Sequence, residues 1–293
     1  MSFIGKNSEN TSIYIKLTSI DAESCADKNQ SHICFQKSPE KSTFSGFFCS
    51  GATFAHRRLY LMRFLKSLFE EMYISDIIGR NQIRNKAELE ELRNILFSSV
   101  GSLTNPSKLT ATFKSVKYTT ISKTTIKRYI NYFEETFLID SAIRYDIKGR
   151  KYIGTPSKYY FTDLGLRNAR LNFRQVEETH IMENIIYNDL LRRGYNIDVG
   201  VIEYDFKEDG NRRKVQLEVD FVINKGYKRY YIQSALNVDS TEKKEQETVS
   251  LKKIDDSFKK IVIVRRRIIP KHDNDGILYI GVENFLLNEL IID

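Results

Sequence analysis

The sequence predicts an α/β chain of the α+β kind, with a helical first part and a small α/β module after it. Three observations predict this. Apolar residues recur at helical spacing between residues 57 and 137. Apolar and polar residues alternate at strand spacing between residues 196 and 236. Lys and Arg exceed Asp and Glu by 8 over residues 90–176 but fall short of them by 3 over residues 177–293. The net charge of the whole chain is +8, so the middle segment alone carries an excess equal to the total. A basic middle points to a polyanion-binding surface there, and away from one on the last third; charge that merely solubilises is the bland alternative.

At 293 residues the chain is long enough for about two domains. No apolar run approaches the roughly 18 residues of a membrane span, so no membrane partner is expected. The opening residues, MSFIGKNSENTS, lack the apolar centre of a signal peptide. Three cysteines, Cys25, Cys34 and Cys49, are few and odd in number, which fits a cytoplasmic protein. Cys34 lies near His32, but no second pair follows at zinc spacing, so no structural zinc is expected.

Residues 1–56 read as a degenerate remnant or disordered segment, with one strand-like run, Ser12–Leu17, and a loop over Gly46–Phe54. A phosphate-binding loop needs two glycines at fixed spacing followed by Lys and a hydroxyl residue. Gly5-Lys6-Asn7 lacks the upstream glycine and the hydroxyl, and no ATP site is found anywhere in the chain.

Residues 57–176 read as a helical domain. A first helix is expected over Arg57–Arg80, with Leu61, Phe64, Leu65, Leu68, Phe69 and Met72 on its apolar stripe. A second, Glu88–Ser99, turns Leu89, Leu92 and Leu96 inward. Asn105-Pro106 is a helix-start signal for Ser107–Ser115. Tyr118–Ile121 is a turn or short strand, and Ser122 caps a longer helix over Lys123–Phe137. Ile126, Ile130, Phe133 and Phe137 form its stripe, while Lys123, Lys127 and Arg128 lie largely off it. Helix, tight turn and second helix with a basic outer face is a helix-turn-helix arrangement. Strand-like runs at Leu138–Tyr145 and Tyr159–Thr162 enclose Lys148, Arg150 and Lys151, which gives the hairpin, or wing, a basic tip.

Residues 177–293 read as an α/β domain. Glu177–Arg193 is a helix with Ile181, Ile185, Ile186 and Leu190 on its stripe and Glu183 off it; Gly194 ends it. Strands at Asn196–Asp205 and Lys214–Ile223 are joined through the hairpin signal Glu208-Asp209-Gly210-Asn211. Val219, Phe221 and Ile223 alternate with Glu218, Asp220 and Val222, and Asn224-Lys225-Gly226 turns the chain into a strand over Lys228–Leu236. A polar helix at Thr241–Ile254, strands at Lys260–Val264 and Ile277–Gly281 and a short helix at Val282–Ile292 complete the module. An acidic residue near a strand end, then a turn and a strand with polar residues two apart, is how metal-dependent nucleases of the restriction-endonuclease type are built. Those use Asp, then Glu-x-Lys; this chain offers Gln233-Ser234-Ala235.

The runs NPSKLTATFKSV, YDIKGRKYIGTPSKYYFTDLGLRNARLNF, EETHIMENIIYNDLLRRGYNIDVGV, QLEVDFVINKG and KRYYIQSA resemble prokaryotic ATPases of AAA type that carry a C-terminal domain of unknown function. The resemblance runs from about Arg57 to the C-terminus. It implies a winged helix followed by a restriction-endonuclease-like domain, with the ATPase domain missing or truncated. It also places Glu183 and Asp220 where nuclease acids would sit, with Glu218 two residues from Asp220. Metal-assisted phosphodiester cleavage needs hard oxygen ligands for Mg²⁺ and a group that activates water. Glu183, Glu218 and Asp220 are the candidate ligands, and Glu183, Asp220 and Gln233 the candidate catalytic residues. Gln233 brings no charge and Ala235 replaces the lysine.

Three functions stay open on the sequence. One is a non-catalytic module that binds DNA through Lys123, Lys127, Arg128, Lys148, Arg150 and Lys151. Another is a metal-dependent nuclease using Glu183 and Asp220. The third is an interaction domain that docks on an intact ATPase or other protein partner. For Glu183, Asp220 and Gln233 a buried polar cluster that fixes helix against sheet is the competing reading. His180 reads as a surface or capping residue, and Tyr159, Tyr160, Tyr230 and Tyr231 as sheet core rather than base-stacking platforms.

Overall fold

The computed structural model describes residues 54–117, 121–172, 174, 177–208 and 211–292. The run Ser12–Leu17, the loop before Phe54, the three cysteines with His32, and the turn residues Tyr118–Thr120 lie outside them. So do Asp209 and Gly210 of the hairpin signal.

The helical part opens with one continuous helical run: α1 (Phe54–Phe69), a π-helical turn (Glu70–Ile74) and α2 (Ser75–Asn81). Gln82, in the left-handed conformation at φ 49°, stops it. α3 (Lys86–Ser98) is capped by Asn85, and Leu89, Leu92 and Leu96 are buried as the spacing predicts. Phe64, expected inward on α1, is half exposed. α4 (Pro106–Lys117) starts where Asn105 Oδ1 accepts the Lys108 N–H at 2.8 Å, and α5 (Lys123–Glu135) starts where Ser122 Oγ accepts from Thr125 N–H at 3.0 Å. The stripe of α5 is Ile126, Tyr129, Ile130 and Phe133. Phe137 departs from it. The helix ends before it, its φ is 56°, and its ring is 78% exposed.

Among the described residues the chain then forms one eight-stranded mixed sheet in the order β2-β1-β3-β4-β5-β6-β8-β7. Its strands are β1 (Ile139–Asp146), β2 (Lys151–Phe161), β3 (Asn196–Glu208), β4 (Asn211–Lys225), β5 (Lys228–Ala235), β6 (Lys259–Val264), β7 (Lys271–His272) and β8 (Leu278–Gly281). Between β2 and β3 lie α6 (Leu164–Arg170), a helix the sequence pattern does not announce, and α7 (Glu178–Arg192). α8 (Thr241–Lys252) and α9 (Val282–Leu287) follow β5 and β8; α9 is shorter than the expected C-terminal helix. The expected division at residue 176 is bridged by hydrogen bonds. β1, expected as part of a wing, pairs in parallel with β3 through Arg144–Val199, Tyr145–Gly200 and Asp146–Val201. The hairpin β1–β2 is thus one edge of the sheet of the C-terminal module.

Three apolar cores hold these layers. The helices α1–α5 pack around Phe69, Phe97, Phe113 and Phe133, and reach the sheet through Ile139, Tyr159 and Phe161. α7 and α9 cover one sheet face over Tyr160, Phe221, Ile223, Ile232 and Ile261. α8 covers the other over Val222, Tyr231, Val262 and Tyr279. The strict alternation expected along β4 is broken. Val219 and Val222 share one core, and Phe221 and Ile223 the other. The cause is a bulge in β4: Asp198 pairs with Val222 and Gly200 with Val219, so Asp220 and Phe221 stand opposite Val199 alone. Gly200 is required there, since a Cβ on it would lie 2.8–2.9 Å from Val222, Ile147 and Val219 side chains.

Candidate functional site

Where α7 crosses β2 and β4, five polar side chains converge. Lys158 and Tyr160 come from β2, Glu183 from α7, and Glu218 and Asp220 from β4. Lys158 Nζ lies 2.8 Å from Glu183 Oε1, 2.6 Å from Glu218 Oε1 and 3.5 Å from Asp220 Oδ1. The Tyr160 hydroxyl donates to Glu183 Oε1 at 2.6 Å. Asp220 Oδ2 accepts the Ser234 backbone N–H at 2.8 Å. Lys158, Glu183 and Asp220 are buried; Glu218 is about a third open to solvent, its side chain 35% exposed.

Local structure explains the placement. α7 is wedged between sheet and helices, so Met182, Glu183, Asn184 and Tyr187 are buried along with Ile181, Ile186 and Leu190 of the apolar stripe, while Ile185 is partly buried. Glu183, expected off that stripe, is 4% exposed. Asn184 fixes the register of helix on strand, since its side chain bonds both the N–H and the C=O of Phe161, at 2.7 and 2.8 Å. Tyr187 stacks on Tyr160 with ring centroids 4.0 Å apart. The hydroxyl of Tyr160 is thereby held against Glu183.

The electrostatics follow from burial. Desolvation opposes a charge on Lys158, but Asp220, Glu183 and Glu218 outweigh it and lift the pKa above the ordinary lysine value. Lys158 is therefore a buried ammonium. Burial, and then the charge of Asp220, push Glu183 up to about 7, against the pull of Lys158. The Tyr160 hydroxyl is raised well above its usual range by burial and by Glu183. A further carboxylate is in electrostatic reach: Glu247, half-buried on α8, is raised by burial and then by Asp220.

The structure thus brings Glu183, Glu218 and Asp220 together around Lys158. Gln233 stands apart in role. Its amide oxygen faces the backbone N–H of Asp220 at 3.4 Å. Lys158, Tyr160 and Glu247 were not anticipated. The available signal was Lys158 itself, a lysine directly ahead of the apolar run Tyr159-Tyr160-Phe161; a lysine in a buried strand needs a carboxylate partner. The carboxylates do not fit a bound Mg²⁺ as they stand, because the Lys158 ammonium occupies the position between them that a divalent ion would need. Among the described residues no group of three or more His, Cys, Asp or Glu has the geometry to hold a metal ion. His180, in the first turn of α7, has Nε2 3.3 Å from Glu177 and Nδ1 4.0 Å from Glu183 Oε2.

The six basic residues expected at a nucleic-acid interface lie away from this cluster. Lys123, Lys127 and Arg128 are exposed on α5; Lys148, Arg150 and Lys151 are exposed at the β1–β2 turn. Tyr159, Tyr160, Tyr230 and Tyr231 are all buried.

A family model described as a domain of unknown function (DUF8612) matches residues 49–177. An uncharacterized protein of Haemophilus influenzae is 32% identical over 223 residues, covering 76% of this chain and 52% of that protein. The uncharacterized protein MJ1544 of Methanocaldococcus jannaschii is 29% identical over 185 residues, covering 62% of this chain and 38% of its own length. The chain therefore spans about half or less of these two relatives. Among solved structures, the crystal structure of protein VC1899 from Vibrio cholerae aligns with 77% of this chain and 53% of its own, at 13% identity and a TM-score of 0.29. Among the described residues no helix is long and apolar enough to cross a membrane.

Proposed function

We propose that this chain is a non-catalytic DNA-binding module of the AAA-type ATPase family it resembles, a winged helix joined to a nuclease-like domain that has lost its chemistry. The observation that carries the reading is Lys158 Nζ, set within 2.6–3.5 Å of Glu183, Glu218 and Asp220. An ammonium in that position neutralises the acids from within and ties β2, α7 and β4 together. A nuclease of this type also carries a lysine beside its acids, but it needs those acids free to converge on an exchangeable divalent cation.

DNA is the favoured ligand because of where the charge lies. Residues 90–176 carry an excess of 8 positive charges, and although Arg93, Lys158 and Arg167 among them are buried, Lys123, Lys127 and Arg128 face solvent from the second helix of a helix-turn-helix pair. Cations so placed contact phosphates, which gives affinity that falls steeply with salt.

Fluorescence anisotropy of a labelled duplex, titrated with the 293-residue chain at several salt concentrations, tests this reading. Replacing Lys127 and Arg128 by Ala should weaken binding and lower the salt slope by about 1 for each phosphate that is no longer neutralised. Unchanged affinity and slope would remove α5 from the interface. Metal-dependent plasmid nicking that is abolished in Asp220→Ala would overturn the non-catalytic assignment.

A further inference from the structure

We infer that the β1–β2 hairpin is a platform for single-stranded nucleic acid, on which an unpaired base stacks on Tyr152 while phosphates meet the cations of the turn. This rests on the nucleic-acid reading above and extends it from duplex to single strand.

The observations are local and concern residues that the buried cluster does not use. Tyr152 lies on β2 beside the basic turn and is 62% exposed, whereas Tyr145, its cross-strand neighbour, is buried. The Tyr152 ring rests on Tyr145 edge-on, with centroids 5.3 Å apart. Its hydroxyl reaches Asp198 Oδ2 at 3.4 Å. The ring is thus braced by Tyr145 and held at its hydroxyl while most of it meets water. Beneath it, Arg229 lies 5.3 Å from the Tyr145 ring, which adds a cation to the same shelf. The turn is fixed as well, since Asp146 Oδ1 accepts the Gly149 N–H at 2.9 Å and Arg150 adopts φ 51°. Lys148, Arg150 and Lys151 all project from it into solvent.

A pre-braced aromatic ring beside three exposed cations is the pattern by which proteins hold single strands. Every base has a π-face, and the phosphates supply the countercharge. A duplex offers no free base face to such a ring. Asp198 sits at the hydroxyl end of Tyr152, and the Asp146 carboxylate in the turn is engaged by the Gly149 N–H, so the phosphates are steered to the end nearer Lys148 and Arg150.

The test uses the full chain, a fluorescein-labelled oligothymidine of about 20 nucleotides, and the matching duplex in parallel. Tyr152→Leu should weaken single-strand binding about tenfold or more, leave duplex binding unchanged, and keep the wild-type melting profile. Tyr152→Phe, which keeps the ring, should retain the affinity. The proposal is overturned if the wild-type chain does not bind the single strand. Tyr152→Leu binding the single strand as well as wild type, or Tyr152→Leu losing single strand and duplex alike, would also overturn it. Polyglutamate competing as well as unlabelled oligothymidine would overturn it in favour of an acidic peptide. Duplex binding without single-strand binding sinks this inference alone; failure to bind either sinks the parent reading too.

Discussion

Lys158 Nζ lies 2.8 Å from Glu183 Oε1, with both side chains about nine-tenths or more removed from water. This pair joins the edge hairpin to the helix that crosses it. It also changes the meaning of the two acids on β4, which face an internal cation. Breaking such a buried pair from one side leaves an uncompensated charge and is costly, far more so than losing a surface ion pair.

Glu183 should make stability depend on pH in a specific direction. Its carboxyl is held up to about 7 in the folded chain, against about 4.5 when unfolded. The folded state therefore keeps a proton that the unfolded state releases. The contribution is fully present below about pH 4.5 and is lost as pH rises through about 7. Glu183→Gln removes that dependence, so its stability relative to wild type should rise across this window by on the order of 3 kcal/mol. Urea unfolding at half-unit pH steps measures it; a flat or falling difference would contradict the assignment.

Tyr160→Phe should cost about 1–3 kcal/mol, since the 2.6 Å bond to Glu183 is removed from a buried site while the ring keeps its stack on Tyr187. Thermal unfolding at pH 7 reads it out. A variant as stable as wild type would mean that the hydroxyl is not part of the cluster.

Phe133 and Phe137 should respond in opposite ways. Phe133→Ala empties a site that is 1% exposed and should cost about 3–5 kcal/mol. Phe137, at φ 56°, closes the helix end where Leu138 N–H reaches the Phe133 C=O at 3.0 Å. Glycine suits that position, so Phe137→Gly should leave stability unchanged or raise it by about 1 kcal/mol. Equilibrium denaturation of both variants decides between this arrangement and an inward Phe137.

Most elements were legible in the sequence, because they rest on short-range signals. Asn105, Ser122 and Gly226 mark a helix start, a helix start and a turn through their own backbone chemistry, and each stands where its local signal puts it. α6 was hidden because Gly165 within a seven-residue helix reads as a turn. The faces of β4 depart from strict alternation because of a bulge at Asp220–Phe221, which shows only in the pairing with β3, where Gly200 leaves no room for a Cβ. The two acids on β4 were visible as a pattern on one strand, and Glu183 came only with the family resemblance. Their counter-ion was not visible, because Lys158 precedes Glu183 by 25 residues and Asp220 by 62, so only the fold brings it to them. In the nuclease pattern the lysine belongs on β5, where this chain has Ala235.

Lys158 is, on this view, a structural counter-ion, and the rest of the site depends on it. Lys158→Met keeps an unbranched side chain out to Cε and removes the ammonium, so urea unfolding of this variant at pH 7 tests the role directly. The expected result is a loss of about 3–5 kcal/mol, because Glu183, Asp220 and Glu218 are left facing one another. A variant within about 0.5 kcal/mol of wild type would contradict it.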